Sequence, residues 1–285
     1  MIESFFQYEF LQNAAITGLL IGIVAPLLGV FIVVRRLSLI ADALSHITLT
    51  GIAASLLLEK KVTGINDWNP IYMGMVFSVG GAVLIERLRK VYKHYEELAI
   101  PIILSGGIGL GVILISLADG FNTDLFSYLF GSVTAVSRDS MWTVLVITMI
   151  VVMIVILFYK ELFVLSFDEE HASVSGVNGR WIHLLFIVMV ALVIASSMQV
   201  VGILLVSALM TLPVASALRI ARSFKQTIGL SIAFGEISVM LGLFSSYHLS
   251  VPPGGTIVVI AILILVLSIL YKKVRTQLWI KGEVG

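Results

Sequence analysis

Residues 98 to 118 and 141 to 159 carry no ionisable side chain, apart from Tyr159 at the end of the second run. A helix needs about 20 apolar residues to cross a bilayer, and fewer when tilted or buried. Water would solvate such runs poorly, and an irregular backbone cannot face lipid, so each is expected to be a membrane-crossing helix. The remainder of the chain agrees. Only 12% of its 285 residues are charged and 59% are hydrophobic, against about 25% charged in a soluble domain. The expected fold is an all-α integral membrane protein, a polytopic bundle of about eight or nine spans.

Nine stretches qualify: 14–34, 37–58, 71–85, 98–118, 141–159, 181–198, 200–218, 226–247 and 255–271. The third is short, and 181–218 is nearly continuous, interrupted only around Gln199 to Gly202. The first apolar run, 11–34, is too long for a signal-peptide core and no basic residue precedes it, so it is read as a retained span. With alternating loops, 15 of the 18 Lys and Arg residues fall on one side. Lys60, Lys61 and Arg138 fall on the other. Positive charge collects on the cytoplasmic side, which puts the N-terminus outside and the C-terminus inside. No internal repeat or low-complexity linker divides the chain, so residues 1–285 are read as one transmembrane domain. Gly18/Gly22 and Gly107/Gly111 are spaced to let helices approach closely.

Several functions are excluded early. A net charge of +1 and the lack of a basic patch interleaved with aromatics argue against nucleic acid. Without cysteine there is no disulfide framework and no thiolate metal site. The chain has no G-x-x-x-x-G-K-[ST], H-E-x-x-H or G-x-S-x-G, so enzyme readings fall below transport.

The segment RRLSLIADALSHITLTG, residues 35–51, places Asp42 and His46 inside an apolar span. Spacing of i, i+4 puts both on one helical face. At 1.5 Å per residue, His46 lies about 15 Å beyond Arg36, near the membrane midplane. A carboxylate and an imidazole suit a borderline divalent ion, while a structural Asp–His pair that fixes helix packing would use the same spacing. Two donors do not close a tetrahedral site. Glu236 is the other mid-span carboxylate and His248 follows the same span on the outer side. Both are possible pathway residues, although a hydrogen-bonded glutamate and a solvated histidine would look the same. His94, His171 and His183 fall on the cytoplasmic side, away from a transport path. Residues 166–180, SFDEEHASVSGVNGR, form a polar cytoplasmic segment. There Asp168, Glu169 and Glu170 suit the first turn of a short helix, and Gly176 and Gly179 suit its end.

The order RRLSLIADALSH, SGGIGLGVIL, LFGS, LSFDEEHASVSGV and VGILLVSALMTLPVASA resembles the permease subunits of ABC importers for zinc and manganese. The similarity runs from FLQNAAITGLL to VPPGGTIVVIAILIL. It implies a homodimer in the cell membrane with the pathway on its two-fold axis, and no permanently bound cofactor. It further implies a cytoplasmic ATPase partner that binds the ATP, and an extracytoplasmic metal-binding protein. Asp42 and His46 fall on the residues thought to hold the ion in transit, so two pairs would supply four ligands. The coupling segment falls on about 167–177, and takes in Phe167, Asp168, Glu169, Glu170, His171, Ser173 and Gly176. Members of the family usually carry Gly where this chain has Ala41. The wording RRLSLIADALSH is nearer the zinc importers, so the expected cargo is zinc, with manganese the alternative. Outside this resemblance, an ion-coupled secondary cation transporter or a structural subunit of a membrane complex would also fit. A cysteine at Ser45, beside His46, is expected to report movement across the dimer.

Overall fold

The computed structural model describes residues 8–61, 69–118, 123–167, 176 and 178–283. Among them are eleven α-helices and no strands. In chain order these are α1 Glu9–Val34, α2 Ser38–Lys61, α3 Pro70–Val91, α4 Ala99–Leu117, α5 Thr123–Phe130 and α6 Arg138–Leu157. They continue with α7 Tyr159–Phe167, α8 Gly179–Val201, α9 Ile203–Ile220, α10 Phe224–Leu249 and α11 Pro253–Glu283. Eight are long and apolar enough to cross a membrane: α1, α2, α3, α4 with the turn before it, α6, α8, α10 and α11. The 18-residue α9 carries a shorter apolar stretch, Leu205–Ile220.

Side-chain contacts show which helix ends share a side. Phe31 of α1, Phe186 of α8, Phe224 of α10 and Phe163 and Phe167 of α7 form one aromatic cluster, with ring centroids 4.9 to 6.2 Å apart. This cluster gathers the ends that carry Arg35, Lys160, Arg180 and Lys225, so the basic loops converge on one side as the charge pattern requires. At the opposite side Arg138 at the start of α6 approaches Glu9 at the start of α1, 3.9 Å apart. Asn69 caps α3 with its side-chain oxygen and lies 3.5 Å from Ser140 of α6.

The core is built from α1, α2, α8 and α9. Ile21, Leu28, Phe31, Ile40, Leu44, Phe186, Val190 and Met210 are all fully buried. By contrast α4, α6 and α11 expose Ile113, Met149, Ile156 and Leu267, as helices do when lipid takes the place of protein on one face. Gly18 and Gly22 admit α10, where an added Cβ would come 2.6 Å from Leu243 and 2.7 Å from Glu236.

Several boundaries differ from the sequence expectation: the span expected at 71–85 is the 22-residue α3, and the last helix runs well past residue 271. The span expected at 141–159 ends at Leu157, and a separate short helix, α7, begins at Tyr159. The helix α5, Thr123–Phe130, is too short to register as a span. The weak break at 199–202 is a sharp one: Gly202 has φ 84°, and α9 starts immediately after it. Gly131 (φ 79°) packs against the same turn, and an added Cβ would come 2.2 Å from the Val200 carbonyl. The Ser132 N–H donates to Gln199 O at 2.8 Å. Backbones meet here at distances that only glycine permits.

Candidate functional site

The turn between α1 and α2 sets the depth of everything on α2. Arg36 adopts φ 57°. The Leu37 N–H then donates back to Ile32 O at 2.9 Å, and the Arg36 N–H to Val33 O at 3.1 Å. This is a Schellman closure, and it sends the chain straight back into the bundle from Ser38. Asp42 therefore lies about one turn inside α2. His46 lies about 5 Å from the midpoint of α2 toward its Ser38 end, at 1.5 Å per residue.

From Ile40 to Ala53, Asp42 and His46 alone keep partial exposure, and the other twelve side chains are buried. The surrounding hydroxyls are spoken for: Ser45 donates to Ala41 O at 2.7 Å and Thr48 to Leu44 O at 2.6 Å. Thr50 reaches both His46 O, at 2.9 Å, and Gly107 O on α4, at 2.8 Å. Gly107 lets α4 approach so closely that an added Cβ would stand 3.5 Å from the His46 carbonyl carbon. Among the described residues no hydrogen bond or salt bridge ties Asp42 or His46 to a neighbouring helix. A pair that fixed packing would have such partners. What remains is an oxygen and a nitrogen donor on one open stripe of an otherwise sealed helix.

The other candidates are placed elsewhere. Glu236 faces α1, its carboxylate against Gly22, with Oε1 buried and without a partner. The His248 Nδ1 pairs with Phe244 O at 3.0 Å, and its ring stacks on Phe244 at 4.6 Å. Neither joins Asp42 and His46, and no group of three or more His, Cys, Asp or Glu side chains forms among the described residues. One copy thus supplies two donors.

Phe167 ends α7 and packs on Phe224 at 5.7 Å. Asp168, Glu169, Glu170, His171 and Ser173 lie outside the described residues. Gly176 has φ 81°, in the left-handed region that glycine adopts without strain. Gly179 opens α8 and does not close a preceding helix, because the Asn178 side chain caps the Trp181 N–H at 3.3 Å. Ser45 is buried, so a probe there would sit inside the bundle and not on a face open to a second copy. Sequence reasoning also left His183 as a cytoplasmic-side histidine of little note. It is 2% exposed, accepts a hydrogen bond from Arg89, and lies 3.6 Å from Glu86. Its partners come from 94 residues away, and no local pattern announces them.

Comparison with known proteins adds the following. A family model described as "ABC 3 transport family" matches residues 7–272. The manganese transport system membrane protein MntC of Listeria monocytogenes is 36% identical over 95% of this chain and 93% of its own. The manganese import system permease protein ScaB of Streptococcus gordonii is 37% identical over 94% and 95%. The solved structure of PsaBC from Streptococcus pneumoniae in complex with a Fab superposes with a TM-score of 0.80. It is 35% identical and covers 94% of this chain and 93% of that one.

Proposed function

Because the chain belongs to the ABC 3 transport family, we propose that it carries manganese inward, with Asp42 and His46 holding the ion in transit. The family and the relatives make the chain a multi-pass permease subunit of an ABC metal transporter in the cell membrane. It is not itself an enzyme, since ATP hydrolysis belongs to a separate subunit.

The observation that carries the reading is the open Asp42–His46 stripe on a buried α2. The relatives' names favour manganese, and a carboxylate with an imidazole accommodates manganese as readily as zinc. The zinc preference drawn from RRLSLIADALSH therefore becomes the second reading. Two copies related by a two-fold axis would bring four donors to one ion, and parting them would leave two weak half-sites. The motion would enter through residues 166–180, docked on the ATPase. Phe167 supports this route, because it leads from the segment's start through Phe224 to Phe31 at the end of α1. An extracytoplasmic binding protein would deliver the metal.

The test replaces Asp42→Ala and His46→Ala and follows manganese and zinc uptake together with co-purification of the ATPase. Removing even an outer partner of a metal ligand costs about 10- to 100-fold. Uptake is expected to fall at least about tenfold while the complex still assembles. Wild-type uptake in both variants would refute the site.

A further inference from the structure

A second cavity lies at the cytoplasmic ends of α3 and α8, far from Asp42 and His46 in role and lining. It has a volume of about 340 Å³, and Arg89, Lys90, Lys93, Arg180 and His183 line it together with two glutamates. Those carboxylates do not leave it acidic. Glu96 takes the Arg89 guanidinium at 2.5 Å, and Glu86 stands 3.7 Å from the same group. No salt bridge among the described residues engages Lys90, Lys93 or Arg180, and all three are exposed. The cavity therefore shows net positive charge to its opening, and Arg89 at its centre would repel a metal cation.

His183 adds a directional group. Arg89 donates to its Nε2, so Nε2 acts as the acceptor and Nδ1 carries the proton. That Nδ1 is buried and has no partner, an uncommon condition for a buried donor. The flanks fix the level in the membrane: Tyr92, Tyr95 and Trp181 are exposed around the same helix ends, and such rings settle at the headgroup layer. Basic cavities between spans on the cytoplasmic side accept anionic headgroups.

We infer that this cavity between α3 and α8 binds a phosphate group, supplied by the headgroup of an anionic phospholipid of the cytoplasmic leaflet. A bound headgroup would bridge Lys90 in the last turn of α3 and Lys93 just beyond it to Arg180 at the start of α8. It would thereby brace the two helices beside the segment that leads into residue 180.

The test uses the full-length chain in mild detergent. Native mass spectrometry measures retention of phosphatidylglycerol against phosphatidylcholine, with inorganic phosphate as a competitor. The wild type is expected to retain phosphatidylglycerol preferentially. Each lost cation should lower its affinity about fivefold, so Lys90→Gln with Lys93→Gln and Arg180→Gln should abolish the preference. The single change Lys93→Gln, at an exposed position past the end of α3, tests the same point without burdening the fold. Arg222→Gln with Lys225→Gln removes charge from the same side of the membrane but outside the cavity, and should retain the lipid. Displacement by millimolar inorganic phosphate would support the phosphate chemistry and assign it to a soluble ion. Equal retention of the two lipids, or undiminished phosphatidylglycerol on the cavity variants, would overturn the inference.

Discussion

Thr50 shows how single groups hold the metal-donor stripe in place. Its hydroxyl is shared between His46 O and Gly107 O, so it ties the backbone carrying one donor to α4. A net hydrogen bond contributes about 1 kcal/mol. Thr50→Val keeps the shape and is expected to lower the melting temperature by about 2–4 °C, read by thermal unfolding in detergent. Gly107 is less forgiving. Its added Cβ already meets Ile47 at 3.1 Å and the His46 backbone at 3.5 Å, and a branched side chain must push the helices apart. Gly107→Val is expected to depress uptake while the ATPase still co-purifies. Gly106→Ala, which meets nothing within 4 Å, should leave folding unchanged. Equal behaviour of the two would mean that the α2–α4 approach is irrelevant to the site. Arg89 supports the cytoplasmic end in the same way. Removing it leaves Glu86 and His183 buried without their shared partner, and losing one member of a buried pair costs about 3–5 kcal/mol. Arg89→Ala should therefore sharply reduce the yield of folded protein, and a wild-type melting temperature would contradict the network's structural weight.

At the scale of the element, α2 is a helix whose exposure is decided by its neighbours. Apart from Asp42, His46 and the charged residues at its C-terminal end, its sequence is apolar or small on every side, so the pair marks one face but nothing in the sequence says which neighbours leave that face uncovered. The packing of α3, α4 and α9 leaves positions 42 and 46 accessible and closes 43 to 45. Cysteine substitution reads this directly, because the chain has no native cysteine. Asp42→Cys and His46→Cys are expected to react with a small water-soluble thiol reagent far faster than Ala43→Cys, Leu44→Cys or Ser45→Cys. Uniform reactivity along the helix would remove the open stripe. Where α8 turns into α9, the element boundary depends on Gly202, whose added Cβ would lie 2.5 Å from Leu129 O at a positive φ. Strain of about 1–3 kcal/mol attends a side chain at such a backbone, before any clash is counted.

For the whole molecule, the proposed transport cycle requires the open stripes of two copies to approach and part. Leu39 is exposed on the same stripe as Asp42 and His46, which makes it the better reporter than the buried Ser45. Spin labels on Leu39→Cys in the reconstituted complex are expected to change their mutual distance between nucleotide-free and ATP-bound states. A fixed distance would count against parting of the pairs as the release step, and would leave metal binding untouched. The aromatic cluster on the cytoplasmic side gives the motion a path. It joins α7, α10, α1 and α8 by ring contacts, so a displacement at the exposed Phe167 is passed on through Phe224 to Phe31.

The membrane class and the long spans could be read from the chain, because desolvating a charge is costly residue by residue and needs no knowledge of neighbours. The Asp42–His46 pair was legible for the same reason: two polar side chains four apart in an apolar helix stand out wherever that helix is packed. Tertiary structure alone decided that this pair keeps partial exposure while Ser45 is buried, and that Glu236 settles against Gly22. It also buried His183, which the sequence only placed away from a transport path, against Arg89. Each of these depends on which helix lies alongside, and spans of nearly uniform hydrophobicity carry little local record of their neighbours. Short helices such as α5 and α7 escaped notice because they fall below the length at which hydropathy alone identifies an element.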